Sequence, residues 1–183
     1  QLFDPGSWQL LEIWTCSDTF ATPLAAAEDH AGNVYVVDYD RRCVQKLSRT
    51  GEVVGAFAAT IEATGFLLRP SSVAVVDVSD AASPMRVYVL DEERRAVFGF
   101  DHNGHPLASS TGAVAVGGEQ LHAPRGLAAD QVSIYVGDHA TDGTGRVVRF
   151  ETSAGHEFVG EARGYHGPVA ALHLERERLF VSA

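Results

Sequence analysis

Two histidines in this chain stand in matching places. His122 and His166 each lie two residues ahead of a proline, Pro124 and Pro168, that opens an apolar stretch. Imidazoles at equivalent positions of neighbouring units could share a ligand or a metal ion. Zinc requires three or four protein ligands at about 2.0–2.3 Å. Only two suitable residues recur at this spacing, so no metal or other cofactor is assigned, and turn histidines with local hydrogen bonds are the plainer reading. Arg69 and Arg125 flank prolines of the same kind, Pro70 and Pro124. Their guanidinium groups could grip a carboxylate or phosphate, or stand solvated in loops. Asp38, Asp91 and Asp138 recur after an apolar stretch containing a Tyr-Val pair. A short carboxylate there is expected to accept backbone N–H bonds in a turn and so to be structural. A calcium site would need several oxygens to converge, which spacing alone does not establish.

Other chemistry finds no foothold. The chain has no G-x-S-x-G elbow, no P-loop, no dinucleotide fingerprint and no H-E-x-x-H pair. Asp29-His30, Asp101-His102 and Asp138-His139 invite an acid–base dyad, but the first two fall in hairpin turns. The two cysteines, Cys16 and Cys43, lack metal-ligand spacing. Cys43 sits in a strand, where a cysteine is commonly a small core residue. A Cys16–Cys43 disulfide tying the leading segment to the first unit is the alternative.

These residues must be positioned by strands. Leu24 to Glu28 is apolar after a proline, which has no N–H for a ladder and suits the beginning of a strand. Asp29 to Asn33 is a turn cluster. Val34 to Val37, Cys43 to Leu47 and Glu52 to Phe57 follow as strands, joined by a charged connection and the Ser48–Gly51 hairpin turn. That makes a four-stranded antiparallel meander. The same grammar restarts at Pro70, Pro124 and Pro168. Unit two predicts strands over 71–76, 85–90 and 96–100, with an edge strand over 106–110 after the Asn103-Gly104 turn. Unit three predicts strands over 125–130, 133–136, 147–150 and from 157 onward. Unit four predicts 169–174 and 179–182. The period is about 45 to 55 residues, as in propeller-type arrays.

The pattern Pro-x-x-apolar-Ala, then Gly32-Asn-Val-Tyr-Val-Val-Asp38, then Val44-Gln45 and Gly51 resembles the NHL repeat of β-propellers. It covers nearly the whole chain after residue 20. The arginine usual before the third strand's valine is Cys43 in unit one and Ala96 in unit two, and only Arg146 keeps it. The usual acid after the second strand is present as Asp38, Asp91 and Asp138, while Ser182 stands near that place in unit four. The resemblance implies an all-β fold of four-stranded antiparallel blades, about three and a half of them, over 23–69, 70–123, 124–167 and 168–183. Such propellers close with more blades than this, so the chain is expected to be part of a larger ring. A small four-bladed ring is the alternative, with residues 1–22 supplying a closing outer strand over 8–14. The resemblance also implies binding at the face formed by loops that enter the innermost strands, which carry Arg69, His122, Arg125 and His166.

Composition narrows the partners. The chain has 183 residues, 45% hydrophobic, with a net charge of −10. Of its 14 basic residues only Lys46 is a lysine, as in GC-rich coding. An acidic surface disfavours nucleic acid, and no apolar run approaches the roughly 20 residues of a membrane-spanning helix. The expectation is a non-catalytic module for protein–protein interaction or scaffolding. Its partner would be another protein or the remainder of a longer chain, for instance in a prokaryotic multiprotein assembly such as a phage-tail-like particle. The rival is a metal-dependent propeller enzyme of the lyase or lactonase type, with ligands at the channel mouth.

Overall fold

A computed structural model describes residues 2–3, 6–7, 9–12, 20–57, 67–78, 85–109, 112–113, 115–117, 120–152, 157–175 and 178–183. The described chain is all-β and antiparallel, as expected. At its start β1 (Leu2–Phe3) and β2 (Leu10–Glu12) pair as a separate two-stranded sheet. Most of the proposed closing strand's flanks, Trp8 and Trp14 included, lie outside the described residues.

The first large sheet runs in chain order through β3 (Pro23–Glu28), β4 (Val34–Asp38), β5 (Cys43–Leu47) and β6 (Val53–Phe57). Its turns close where left-handed backbone is needed. Gly32 has φ +83° and donates to the Asp29 carbonyl at 2.9 Å, a conformation in which a side chain costs about 1–2 kcal/mol.

The second sheet is β7 (Pro70–Asp77), β8 (Met85–Asp91), β9 (Ala96–Asp101) and an outer strand that departs from the sequence reading. The expected edge strand over 106–110 only begins there. Pro106 bridges Phe100 and the Leu107 N–H donates to the Gly99 carbonyl at 2.9 Å. The chain then leaves the sheet in a small hairpin, β10 (Ala108–Ser109) with β11 (Gly112–Ala113), and returns to β9 as β12 (Ala115–Gly117). Pro106 offers no N–H to the ladder, so the strand is weakest where it breaks away.

The third sheet is β13 (Gly126–Ala129), β14 (Ser133–His139), β15 (Gly145–Glu151) and β16 (Phe158–Tyr165). Its second strand runs past the expected end at residue 136. The turn after it closes tightly, with the Ala140 N–H on the Thr144 carbonyl and Gly143 at φ +84°. The last sheet has two strands, β17 (Ala171–Glu175) and β18 (Arg178–Ser182).

The first strands of these sheets, β3, β7, β13 and β17, lie beside one another in that order. Successive sheets are sealed by side chains that alternate across each strand. In β8, Val87 and Val89 join Tyr35, Val37, Val44 and Phe100 in the core between sheets one and two. Tyr88 and Leu90 face the other way, with Ile134, Val136 and Phe150, in the core between sheets two and three. Burial on both faces explains why β8 reads as a continuous apolar run. Each fully buried Val, Leu or Phe contributes about 1.5–3 kcal/mol. Sheets three and four meet through glycines. A Cβ on Gly137 would lie 2.6 Å from Val169 Cγ1, and one on Gly126 would lie 3.1 Å from the Leu172 nitrogen.

Candidate functional site

Three buried carboxylates arrange the loops at one end of the sheets. Asp38, Asp91 and Asp138 are each 0% exposed, so each must be satisfied internally. Asp38 accepts from the Ala21 N–H at 2.8 Å, Thr22 at 3.1 Å and Arg41 at 3.2 Å. Asp91 accepts from Leu68 at 2.6 Å, Arg69 at 3.1 Å and Arg94 at 2.9 Å. Asp138 accepts from His122 at 3.0 Å and Ala123 at 2.7 Å. In each case the acid at the end of a second strand holds the two residues ahead of the proline that opens its sheet. Burial pushes the Asp38 carboxyl up, but the N–H groups of Ala21, Thr22 and Arg41 and the Arg41 charge outweigh it and hold it below the ordinary value.

Register corrects the position of the missing fourth acid. Gly126 pairs with Gly137, and the Arg125 N–H donates to the Gly137 carbonyl at 2.9 Å. Ala171 pairs with Ser182, and Ala170 donates to the Ser182 carbonyl at 2.7 Å. Ser182 therefore corresponds to Gly137, and Ala183 to Asp138.

The loops these aspartates hold set two polar pairs side by side. The Arg69 Nε donates to the Tyr39 hydroxyl at 2.6 Å, with its guanidinium 5.5 Å from the Tyr39 ring centre. Arg125 pairs with Glu92 at 3.2 Å, and the Glu92 N–H donates to the Arg69 carbonyl at 3.0 Å. Tyr39 and Glu92 directly follow Asp38 and Asp91. That shared offset is the sign of their role in the sequence. Arg125 and Glu92 also line a groove of about 630 Å³ walled by the first strands of all four sheets. Its walls mix small residues, such as Ala25 and Ala26 of β3, Ser72 of β7 and Ala171 of β17, with larger apolar ones, Leu24, Val73, Leu127 and Leu172.

The histidines part company. His122, held by Asp138 through its backbone, lines a second recess of about 560 Å³ together with Arg95, Arg146, Phe158 and Arg163. His166 is exposed and lines neither the groove nor this recess. Arg146 is 13% exposed and reaches Asp138 at 2.6 Å, Glu161 at 2.6 Å and the Gln120 carbonyl at 2.6 Å. Among the described residues no group of three or more His, Cys, Asp or Glu side chains could hold a metal ion. Cys43 is a free, buried thiol, while Cys16, the other half of the expected bridge, lies outside the described residues.

No family model matches the chain, and no curated protein sequence is similar to it. Solved structures share its fold. A streptogramin B lyase aligns with TM-score 0.63 at 12% identity, over 93% of this chain and 51% of the lyase. The hydrazine synthase of Kuenenia stuttgartiensis aligns with TM-score 0.61 at 15% identity, over 87% and 40%. A catalytically inactive virginiamycin B lyase from Staphylococcus aureus, with quinupristin, aligns with TM-score 0.55 at 12% identity, over 82% and 44%. These are propeller-type folds, and this chain spans about half of their length or less. Identity this low carries the fold and nothing of the chemistry.

Proposed function

We propose that the sheets are NHL-like propeller blades, divided near residues 23–69, 70–123, 124–167 and 168–183, within a larger ring. On this reading the module is non-catalytic and binds a protein segment in the groove along its first strands, as an interaction or scaffolding unit. The observation that carries it is the groove's build. Small side chains interspersed with Leu24, Val73, Leu127 and Leu172 give an apolar lining with room for a partner's side chains, and the Arg125–Glu92 pair at its edge gives a partner one cation and one anion to match. Arg69, held against Tyr39 beside that pair, extends the polar edge. The net charge of −10 favours a partner whose wider surface is basic.

A peptide display selection against the chain tests this, followed by titration of the selected peptides with charge variants. Arg125→Glu and Glu92→Arg are each expected to weaken binding about tenfold, the effect of losing roughly 1.4 kcal/mol of interaction. The double exchange restores the internal ion pair with reversed polarity. It is therefore expected to recover stability and not binding. Peptides indifferent to all three variants would remove the groove from the reading. A stoichiometric divalent metal accompanied by lyase or lactonase turnover would replace it with the enzyme.

A further inference from the structure

The recess between sheets two and three has a function separate from the groove: we propose that it binds a small aromatic anion, a flat ring carrying a carboxylate or phosphate. Its floor is electrically settled. Arg146 is held by Asp138 and Glu161, and Glu161 in turn pairs with Arg163, which also meets Asp142 at 3.2 Å. Those groups fix the shape of the recess and leave the Arg95 guanidinium and the His122 ring over. Among the described residues no acid pairs with the Arg95 side chain, and the His122 ring has no hydrogen-bond partner. Both line the recess.

The recess has an aromatic lining residue as well. Phe158 packs edge-on against the buried Phe150, ring centres 6.1 Å apart, and stays 49% exposed. A ring that is anchored at its edge and half open offers a face for stacking. The volume of about 560 Å³ falls within the roughly 300–1,000 Å³ of small-molecule sites. It is several times what a bare oxyanion fills, so the ligand needs a body as well as a charge.

Arg95 adds an independent sign. Its φ is +52°, in the region that favours glycine. The turn between β14 and β15 meets the same demand with Gly143. The turn between β8 and β9 carries an arginine at the disfavoured residue, and that arginine faces the recess. Arg42 has the same backbone, φ +55°, in the first sheet, so the arginine recurs with the strain. Strain kept at a position where glycine would relieve it points to use of the side chain.

The test is calorimetric titration of the whole chain with phenyl phosphate, benzoate, inorganic phosphate and phenol. At least one aryl anion is expected to saturate one site, with inorganic phosphate and phenol each about tenfold weaker or more. Phenyl phosphate against benzoate tells which anion the recess prefers. Arg95→Gly is expected to weaken the aryl anion about tenfold while leaving the thermal midpoint equal or higher, because glycine relieves the backbone. Phe158→Ser is expected to weaken it by a similar factor, and Arg125→Glu, in the groove, to leave it unchanged. The proposal is overturned if neither aryl anion saturates at millimolar concentration, or if the Arg95→Gly chain, still folded, binds as well as the parent.

Discussion

The Asp138 carboxylate holds two backbone N–H groups and the guanidinium of Arg146 at once, fully out of water. Removing it leaves Arg146 nearly buried with only Glu161 and a carbonyl for company. Breaking a buried pair by deleting one partner costs about 3–5 kcal/mol, so Asp138→Ala should lower the unfolding free energy by about that much, read as a lower urea midpoint with little change in slope. Asp38→Ala should cost less, because its charged partner Arg41 is largely solvated. Asp29 and Asp38 shape the acid limb of stability. Burial pushes Asp29 up, but the Asn33 side chain, the N–H groups of Asn33 and Ala31 and the Tyr35 hydroxyl together hold it below the ordinary value, and Asp38 is held low likewise. A carboxyl whose folded value lies below its unfolded one stabilises fully above the unfolded value, about pH 4, and loses that contribution as pH falls through the folded value. The thermal midpoint should therefore stay level down to about pH 4 and decline below it. The double change Asp29→Asn with Asp38→Asn should flatten that decline, and an unaltered slope would clear these two acids of responsibility.

Strands and turns carry the next level. Gly137 lets β14 approach Val169, and its absent Cβ would stand 2.6 Å from Val169 Cγ1. Overpacking of this kind costs about 1–3 kcal/mol. Gly137→Ala should lower stability by about that amount and speed hydrogen exchange in β17 and β18 more than in β8, since only the fourth sheet leans on this contact. Uniform loss of protection would mean that the glycine serves the third sheet's own geometry. The second sheet makes the complementary point. β8 tolerates no polar residue on either side between Val87 and Leu90, because neighbours bury both. Its outer strand, by contrast, is interrupted by a hairpin of its own.

At the scale of the molecule, apolar side chains stay exposed on several sheets among the described residues. Leu24, Val53 and Val54 are exposed on the first sheet, Val159 on the third, and Phe180 on the fourth. Exposed apolar side chains such as these favour association, and the net charge of −10 opposes it between copies. The chain should therefore associate more as salt screens that repulsion, read by light scattering from low to high ionic strength. Leu24→Glu with Phe180→Lys should reduce that association. A salt-independent monomer would show that these side chains do not drive association.

Local chemistry made most of the elements legible. The β-branched and aromatic runs at Val34–Asp38, Met85–Asp91 and Ser133–His139, bounded by prolines, glycines and paired charges, could be little else than repeated strands. The three aspartates could be singled out because a short acid at a strand end has backbone donors within reach whatever surrounds it. The broken outer strand of sheet two could not be read, because a run over 106–110 satisfies strand propensity equally well in or out of the ladder. The site was legible only in part. Sequence periodicity placed His122 and His166 as equivalents, and Arg69 with Arg125, since it counts positions along each unit. It is blind to how the side chains turn and to what fills the space between sheets. Tertiary packing decided that His122 joins Arg95 and Phe158 while His166 stands apart, and that Arg125 takes Glu92 while Arg69 takes Tyr39. Strand order is local and repeats with the chain. A recess is made by residues far apart in sequence, and only the packing of one sheet on the next brings them together.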